Sequence, residues 1–139
     1  MSDTLFISEK IEYEYNLEVE TYTHWTTHAD TDDDIYITIF WKDKNGTERS
    51  CEEKELDVWW EDNFEEEKDT FHIKCKIPES YPITKIKMRL QGNDGWRGYW
   101  VQVKTKQKAY FFFINRWIDD ETDGREMTLT NPSSYYHGK

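Results

Sequence analysis

Cysteine is nearly absent from this chain and positive charge is in deficit. Cys51 and Cys75 are the two thiols in 139 residues. They form no C-x-x-C pair and no histidine pair is spaced to complete a zinc site. They read as two reduced thiols of an intracellular protein, because disulfides follow an oxidising compartment; the sequence leaves their pairing open. Lys and Arg number 18 against 29 Asp and Glu, for a net charge of -11. Such a chain is repelled by nucleic-acid phosphates and anionic headgroups unless a cation intervenes or its basic residues gather on one face. The Lys-rich stretch 85–108 is where such a face could form, and nucleic acid is not an expected partner. No apolar run reaches the roughly eighteen residues of a transmembrane helix. The opening "MSDTLFISEK" lacks a basic segment followed by an apolar one, so no signal peptide is expected. The expected location is the cytoplasm, including its membrane periphery.

Catalytic patterns are missing as well. No G-x-S-x-G elbow occurs, and His24, His28, His72 and His137 sit in unrelated contexts. His24 and His28 are four residues apart, but the intervening "WTT" reads as loop, so they are taken as loop or surface histidines rather than zinc ligands. Neither cysteine is flanked by groups that would lower its pKa. No catalytic residue is expected, and the chain is read as a non-enzyme.

Aromatic residues are abundant. A mean hydropathy of -1.00 together with this charge is typical of disordered chains, but those are poor in aromatics. Here seven Trp, nine Tyr and seven Phe supply a large apolar area per residue. The reading is one folded domain with a very polar surface.

Period-2 alternation dominates. Tyr15, Leu17 and Val19 share one face of a first strand, and Ile35, Ile37 and Ile39 one face of a second. Asn45-Gly46 predicts a type I′ turn, followed by a charged, weakly patterned edge strand over 47–56. Further strands are predicted at 71–77, 83–90, 99–103 and 109–114, with no convincing helical period. Seven or so short strands argue for an antiparallel β-sandwich. The tail 121–139 loses the pattern and stands as an extra edge strand, a docking segment or a flexible end.

Two features raise the question of function. Asp30, Asp32, Asp33 and Asp34 fall within five residues where the second strand begins. They lack the glycine and glutamate of an EF-hand, yet Ca²⁺ accepts six to eight oxygens gathered from separate loops. A solvated turn is the alternative. The second feature is aromatic: Trp59-Trp60 and the group Trp96, Tyr99 and Trp100. A Trp in the Gly-rich "QGNDGWRG" is either a plug for the end of the sandwich or an exposed anchor of the kind found at membrane interfaces.

The order of motifs resembles the PLAT domain, or lipoxygenase homology (LH2) domain, of lipoxygenases, lipases and a bacterial phospholipase toxin. "TDDDIYITIF" (31–40) matches its Thr-Asp strand opening. Phe64 and then Asp69-Thr70-Phe71 stand for its Phe-x-x-Gly turn leading to Asp-x-Phe, and "ITKIKMRL" for the following strand. Trp96 leading to Val101 and Val103 matches its Gly-Trp loop and Val-x-Val strand, and "NRWID" (115–119) its closing signature. The family glycine before Thr-Asp is Asp30 here, and "FEEEKDTF" has lost the glycine of the family turn.

The resemblance covers about residues 13–120, leaving 1–12 as an N-terminal extension and 121–139 as a tail. It implies an all-β, eight-stranded antiparallel sandwich of two four-stranded sheets. It also implies calcium sites among the loops at one end, carried over to Asp30, Asp32 and Asp34, to Glu66 and Asp69, and to Asn93 and Asp94. The expected function is a non-catalytic binding module that associates with membrane lipid in a calcium-dependent manner. Trp59, Trp60, Trp96, Tyr99 and Trp100 are its expected membrane or partner contacts. The alternative is a protein-interaction or structural subunit that uses the same sandwich without calcium.

Overall fold

Alternating inward side chains build two antiparallel sheets. The computed structural model describes residues 14–24, 31, 34–57, 68–77, 81–92, 94–118 and 125–136. Its strands are β1 (Glu14–Thr23), β2 (Asp34–Lys42), β3 (Glu48–Ser50), β4 (Lys54–Glu55), β5 (Lys68–Lys76), β6 (Ile83–Gln91), β7 (Trp96–Lys104), β8 (Lys108–Ile118), β9 (Glu126–Thr130) and β10 (Ser133–Tyr136). One sheet has the order β10-β8-β7-β1-β5. The other has the order β3-β2-β6-β9, with β4 continuing the β3 edge along β2. No helix among the described residues is long and apolar enough to cross a membrane.

The core forms where the two inner faces meet. Leu17 and Val19 of β1, Ile35, Ile37 and Ile39 of β2, Ile86 and Met88 of β6 and Val101 and Val103 of β7 are all essentially closed to solvent. Each fully buried aliphatic side chain contributes roughly 1.5–3 kcal/mol of transfer free energy. Phe71, Ile73, Cys75 and Ile77 face inward as their alternation predicts.

The structure departs from the sequence expectations in four places. Each sheet has five strands rather than four, because the unpatterned tail supplies an edge to both: β9 pairs with β6 and β10 with β8. The sandwich therefore continues past residue 120. Second, the edge expected over 47–56 is two short strands, pinned by Cys51 N donating to Ile39 O and Leu56 N to Ile35 O, each at 2.9 Å.

Third, the hairpin at 43–47 is not type I′. Of its central residues Gly46 has positive φ (80°) and Asn45 does not. Gly46 N donates to Asp43 O at 2.9 Å, and the Asp43 carboxylate accepts from the backbone N–H groups of Asn45 and Thr47, both at 2.9 Å. An Asp that holds the turn itself favours a type I turn closed by a left-handed glycine. Fourth, Cys51 and Cys75 are joined in a disulfide rather than standing as separate thiols, with Cα atoms 5.4 Å apart. The bridge ties the β3–β4 edge of one sheet to β5, the edge of the other. On the opposite side the chain itself crosses between the sheets at Asn131–Pro132, where Asn131 takes a left-handed φ of 54°.

Candidate functional site

The antiparallel registers bring eight strand ends to one end of the sandwich, that of β4 through the pairing of Glu55 with Tyr36. Tyr22 pairs with Lys68, Thr23 with Gly98, Asp34 with Gln91, Trp96 with Ile118 and Arg89 with Glu126. The connections at 24–33, 56–67, 92–95 and 119–125 therefore leave from the same end. Of the proposed ligands, Asp34 opens β2 and is exposed, Asp69 lies buried near the start of β5, and Asp94 is exposed between β6 and β7. Asp30, Asp32, Glu66 and Asn93 lie outside the described residues, as do Trp59 and Trp60.

Charge is crowded at this end. The Glu55 carboxyl is pushed above the usual glutamate range, first by burial and then by the charges of Asp34 and Asp57 and a hydrogen bond with Asp34. Asp94 Oδ1 accepts from Gly95 N at 2.9 Å, while its carbonyl accepts from the guanidinium of Arg125. Arg125, with φ 58°, thus ties the start of β9 to the β6–β7 connection. Nothing in the unpatterned tail sequence marked it. Among the described residues no group of three His, Cys, Asp or Glu side chains is close enough to hold a metal ion.

The expected anchor Trp96 requires a correction. Its side chain is 0% exposed, and its indole Nε1 donates to Thr23 Oγ1 at 2.8 Å. Trp96 begins β7 instead of lying in the loop, and its inward position makes it the plug of the sandwich end. His24, read as a surface or loop histidine, is buried at the end of β1 with its backbone N donating to Arg97 O at 2.9 Å. Burial, and then the charge of Arg97, lowers its pKa.

Tyr99 and Trp100 instead belong to an aromatic patch on the outer face of the β10-β8-β7-β1-β5 sheet. The registers align Lys68, Tyr22, Trp100 and Phe113 across β5, β1, β7 and β8. Ring centroids lie 5.6 Å apart for Tyr22–Trp100, 5.5 Å for Tyr99–Phe113, 5.6 Å for His24–Tyr99 and 5.7 Å for Trp100–Phe111. Phe113 is 57% exposed. The sequence carried the signal: with Tyr110, Phe112 and Ile114 inward, the run "AYFFFIN" must turn Phe111 and Phe113 outward.

One row away the outer face becomes polar. Tyr135 Oη donates to Gln102 Oε1 at 2.8 Å, and Gln102 Nε2 to Glu20 Oε1 at 3.1 Å. Lys104 Nζ donates to Glu20 Oε2 at 3.1 Å, and Lys68 Nζ lies 3.8 Å from the same oxygen. Burial raises the Glu20 pKa, but hydrogen bonding with Glu18, Lys104 and Gln102 and the charge of Lys104 outweigh it and hold the carboxyl below its ordinary range.

The family model described as PLAT/LH2 domain matches residues 15–131, from the first strand to the crossing between the sheets. The chain belongs to the PLAT/LH2 domain family. Among solved structures this PLAT domain is similar to part of coral 8R-lipoxygenase, with a TM-score of 0.67 and 23% identity over 84% of this chain and 17% of that one. Calcium activation via a C2-like domain has been described for the coral enzyme. It is also similar to the alpha toxin of Clostridium absonum, with a TM-score of 0.54 and 25% identity over 88% of this chain and 32% of that one. The chain thus spans about one sixth of the lipoxygenase and one third of the toxin. A search of curated proteins finds no match. The PLAT assignment agrees with the all-β sandwich, with one added strand in each sheet.

Proposed function

We propose that this PLAT domain is a non-catalytic, calcium-responsive module that docks onto a lipid surface. The observation that carries the reading is the gathering of carboxylates at the loop end, where burial and then the neighbouring Asp34 and Asp57 work against ionisation of Glu55. Clustered carboxylates repel one another, and a divalent cation relieves that repulsion. Hard carboxylate oxygens are the donor class that calcium takes. Asp34, with Asp30 and Asp32 of the preceding connection, would hold the ion, and Asp69 and Asp94 leave from the same end of the sandwich. The described side chains alone make no complete ligand set, so the reading assigns the remaining oxygens to the connections themselves. Bound calcium would supply charge neutralisation, letting a chain of net charge -11 approach an anionic surface. The coral lipoxygenase, with its calcium-linked C2-like domain, supports the reading by similarity.

The test is a thermal melt in chelator and then in calcium, with magnesium as control. A ligand at a hundred times its Kd stabilises the native state by about 2.7 kcal/mol, a shift of several degrees for a domain of this size. The expected result is a rise with calcium, abolished in the Asp32→Asn/Asp34→Asn double variant. A calcium response unchanged in that variant would remove these residues from the site. Equal melting temperatures in chelator and calcium for the unaltered chain would overturn the reading.

A further inference from the structure

We infer that the lipid-contacting surface is the aromatic flank of the β10-β8-β7-β1-β5 sheet, with Phe113 as its anchor, so that the domain rests on a sheet face rather than standing on loop tips. The inference deepens the calcium-responsive reading and rests on it.

Trp96 has its indole committed to the core and to Thr23, so it is not the anchor. The exposed apolar area lies instead on the adjoining sheet face, where Tyr22, Tyr99, Trp100, Phe111 and Phe113 touch ring to ring. Scattered exposed apolar residues need no explanation, but a contiguous patch of large rings does. This patch lies at the end of the sheet that bears the acidic connections: Tyr22 is two residues from His24, where β1 leads into 24–33, and Trp100 is four residues beyond Trp96. Neutralising those connections therefore removes repulsion next to the patch.

Charge complementarity favours an anionic lipid surface as the occupant. In a chain of net charge -11 two cations, Lys68 and Arg97, stand at the margin of the patch. Lys68 stands across from Tyr22, half exposed and 3.8 Å from Glu20 Oε2, a carboxylate it shares with Lys104. Arg97 lies beyond His24, with its guanidinium donating to Asn115 Oδ1 at 3.3 Å. Tyrosine and tryptophan rings flanked by basic side chains suit the headgroup level of a bilayer, where amphipathic rings partition and phosphates meet ammonium or guanidinium groups.

The experiment is co-sedimentation of the full chain with phosphatidylcholine/phosphatidylserine vesicles in saturating calcium, using Phe113→Ser and Phe113→Leu. Phe113 is exposed, so both variants are expected to fold and to keep the calcium-induced melting shift. The expected result is loss of vesicle affinity by about tenfold or more for Phe113→Ser, with Phe113→Leu within about threefold of the parent. Equal affinity of the Ser variant and the parent would overturn the inference and leave the calcium reading standing. A parent that gains its calcium melting shift but ignores vesicles would overturn the lipid occupant and give the patch to a protein surface. A parent with neither response would fail the calcium reading itself.

Discussion

Thr23 and Trp96 are joined across two strands of one sheet by a 2.8 Å hydrogen bond, with both side chains sealed from solvent. The bond supplies the partner that a buried indole N–H requires, and it fixes the end of β1 against the start of β7 beneath the acidic connections. Replacing Thr23 with Val keeps the shape and orphans the indole donor. A loss of about 1–3 kcal/mol in urea denaturation is expected. Trp96→Ala removes the whole plug and is expected to cost about 3–5 kcal/mol. A Trp96→Ala variant of near-parental stability would contradict its place in the core.

Gly98 is dictated by that same ring. A Cβ at this position would fall 2.6 Å from Trp96 Cη2, 2.7 Å from Cζ3 and 3.0 Å from Ile114 Cδ1. Ordinarily Gly→Ala gains several tenths of a kcal/mol through the unfolded chain, but here overpacking dominates. Gly98→Ala is expected to destabilise by about 1–3 kcal/mol. Combining it with Trp96→Phe should recover part of the loss, and strictly additive effects in the double variant would speak against a direct clash.

The Cys51–Cys75 bridge closes a loop of 24 residues of sequence separation. By the chain-entropy relation such a bridge stabilises by about 3–4 kcal/mol. A melt in reductant, or of the Cys51→Ser/Cys75→Ser variant, is expected to fall by several degrees or more. Thiol titration of the unfolded, unreduced protein should find no free sulfhydryl, and two would place the chain in its dithiol form.

Two glutamates set opposite pH dependences. The Glu20 pKa is lowered in the fold, so its ion pairing stabilises the protein above the ordinary value of 4.5 and is lost as pH falls through the lowered value. The Glu55 pKa is raised, so the stability associated with its proton is complete below 4.5 and is lost as pH rises through the raised value. Glu20→Gln is accordingly expected to flatten the acid limb of a stability–pH curve. Glu55→Gln is expected to raise stability at neutral pH, and no gain there would refute the crowding at Asp34 and Asp57.

The strands were legible in the sequence wherever burial on one face forced alternation. Ile35, Ile37 and Ile39, and likewise Phe71, Ile73 and Cys75, face the core as their spacing requires. The tail strands were not legible. β9 buries Met127 and half-buries Leu129, and all four residues of β10 are exposed, so pairing rather than hydrophobic pattern holds them in place. The turn at Asp43 was misread because its side chain supplies the acceptors that the backbone of a tighter turn would have provided. Trp96 could not be assigned from sequence because a tryptophan beside glycines fits a plug and an anchor equally well, until the parity of β7 turns it inward. Trp117 near the end of β8 is less enclosed. In the closing "NRWID" stretch it is half-buried and pairs with Arg97 on β7.

The disulfide and the Asn131–Pro132 crossing lie on opposite sides of the sandwich, so the two sheets resemble a book sewn along both long edges. Forces that slide or peel one sheet from the other meet a covalent stitch at Cys51–Cys75 and continuous backbone between β9 and β10. At one short end the backbone also passes between the sheets, from β6 of one to β7 of the other. A force that pulls the sheets apart is therefore borne along both long edges, by the disulfide on one and by the backbone on the other.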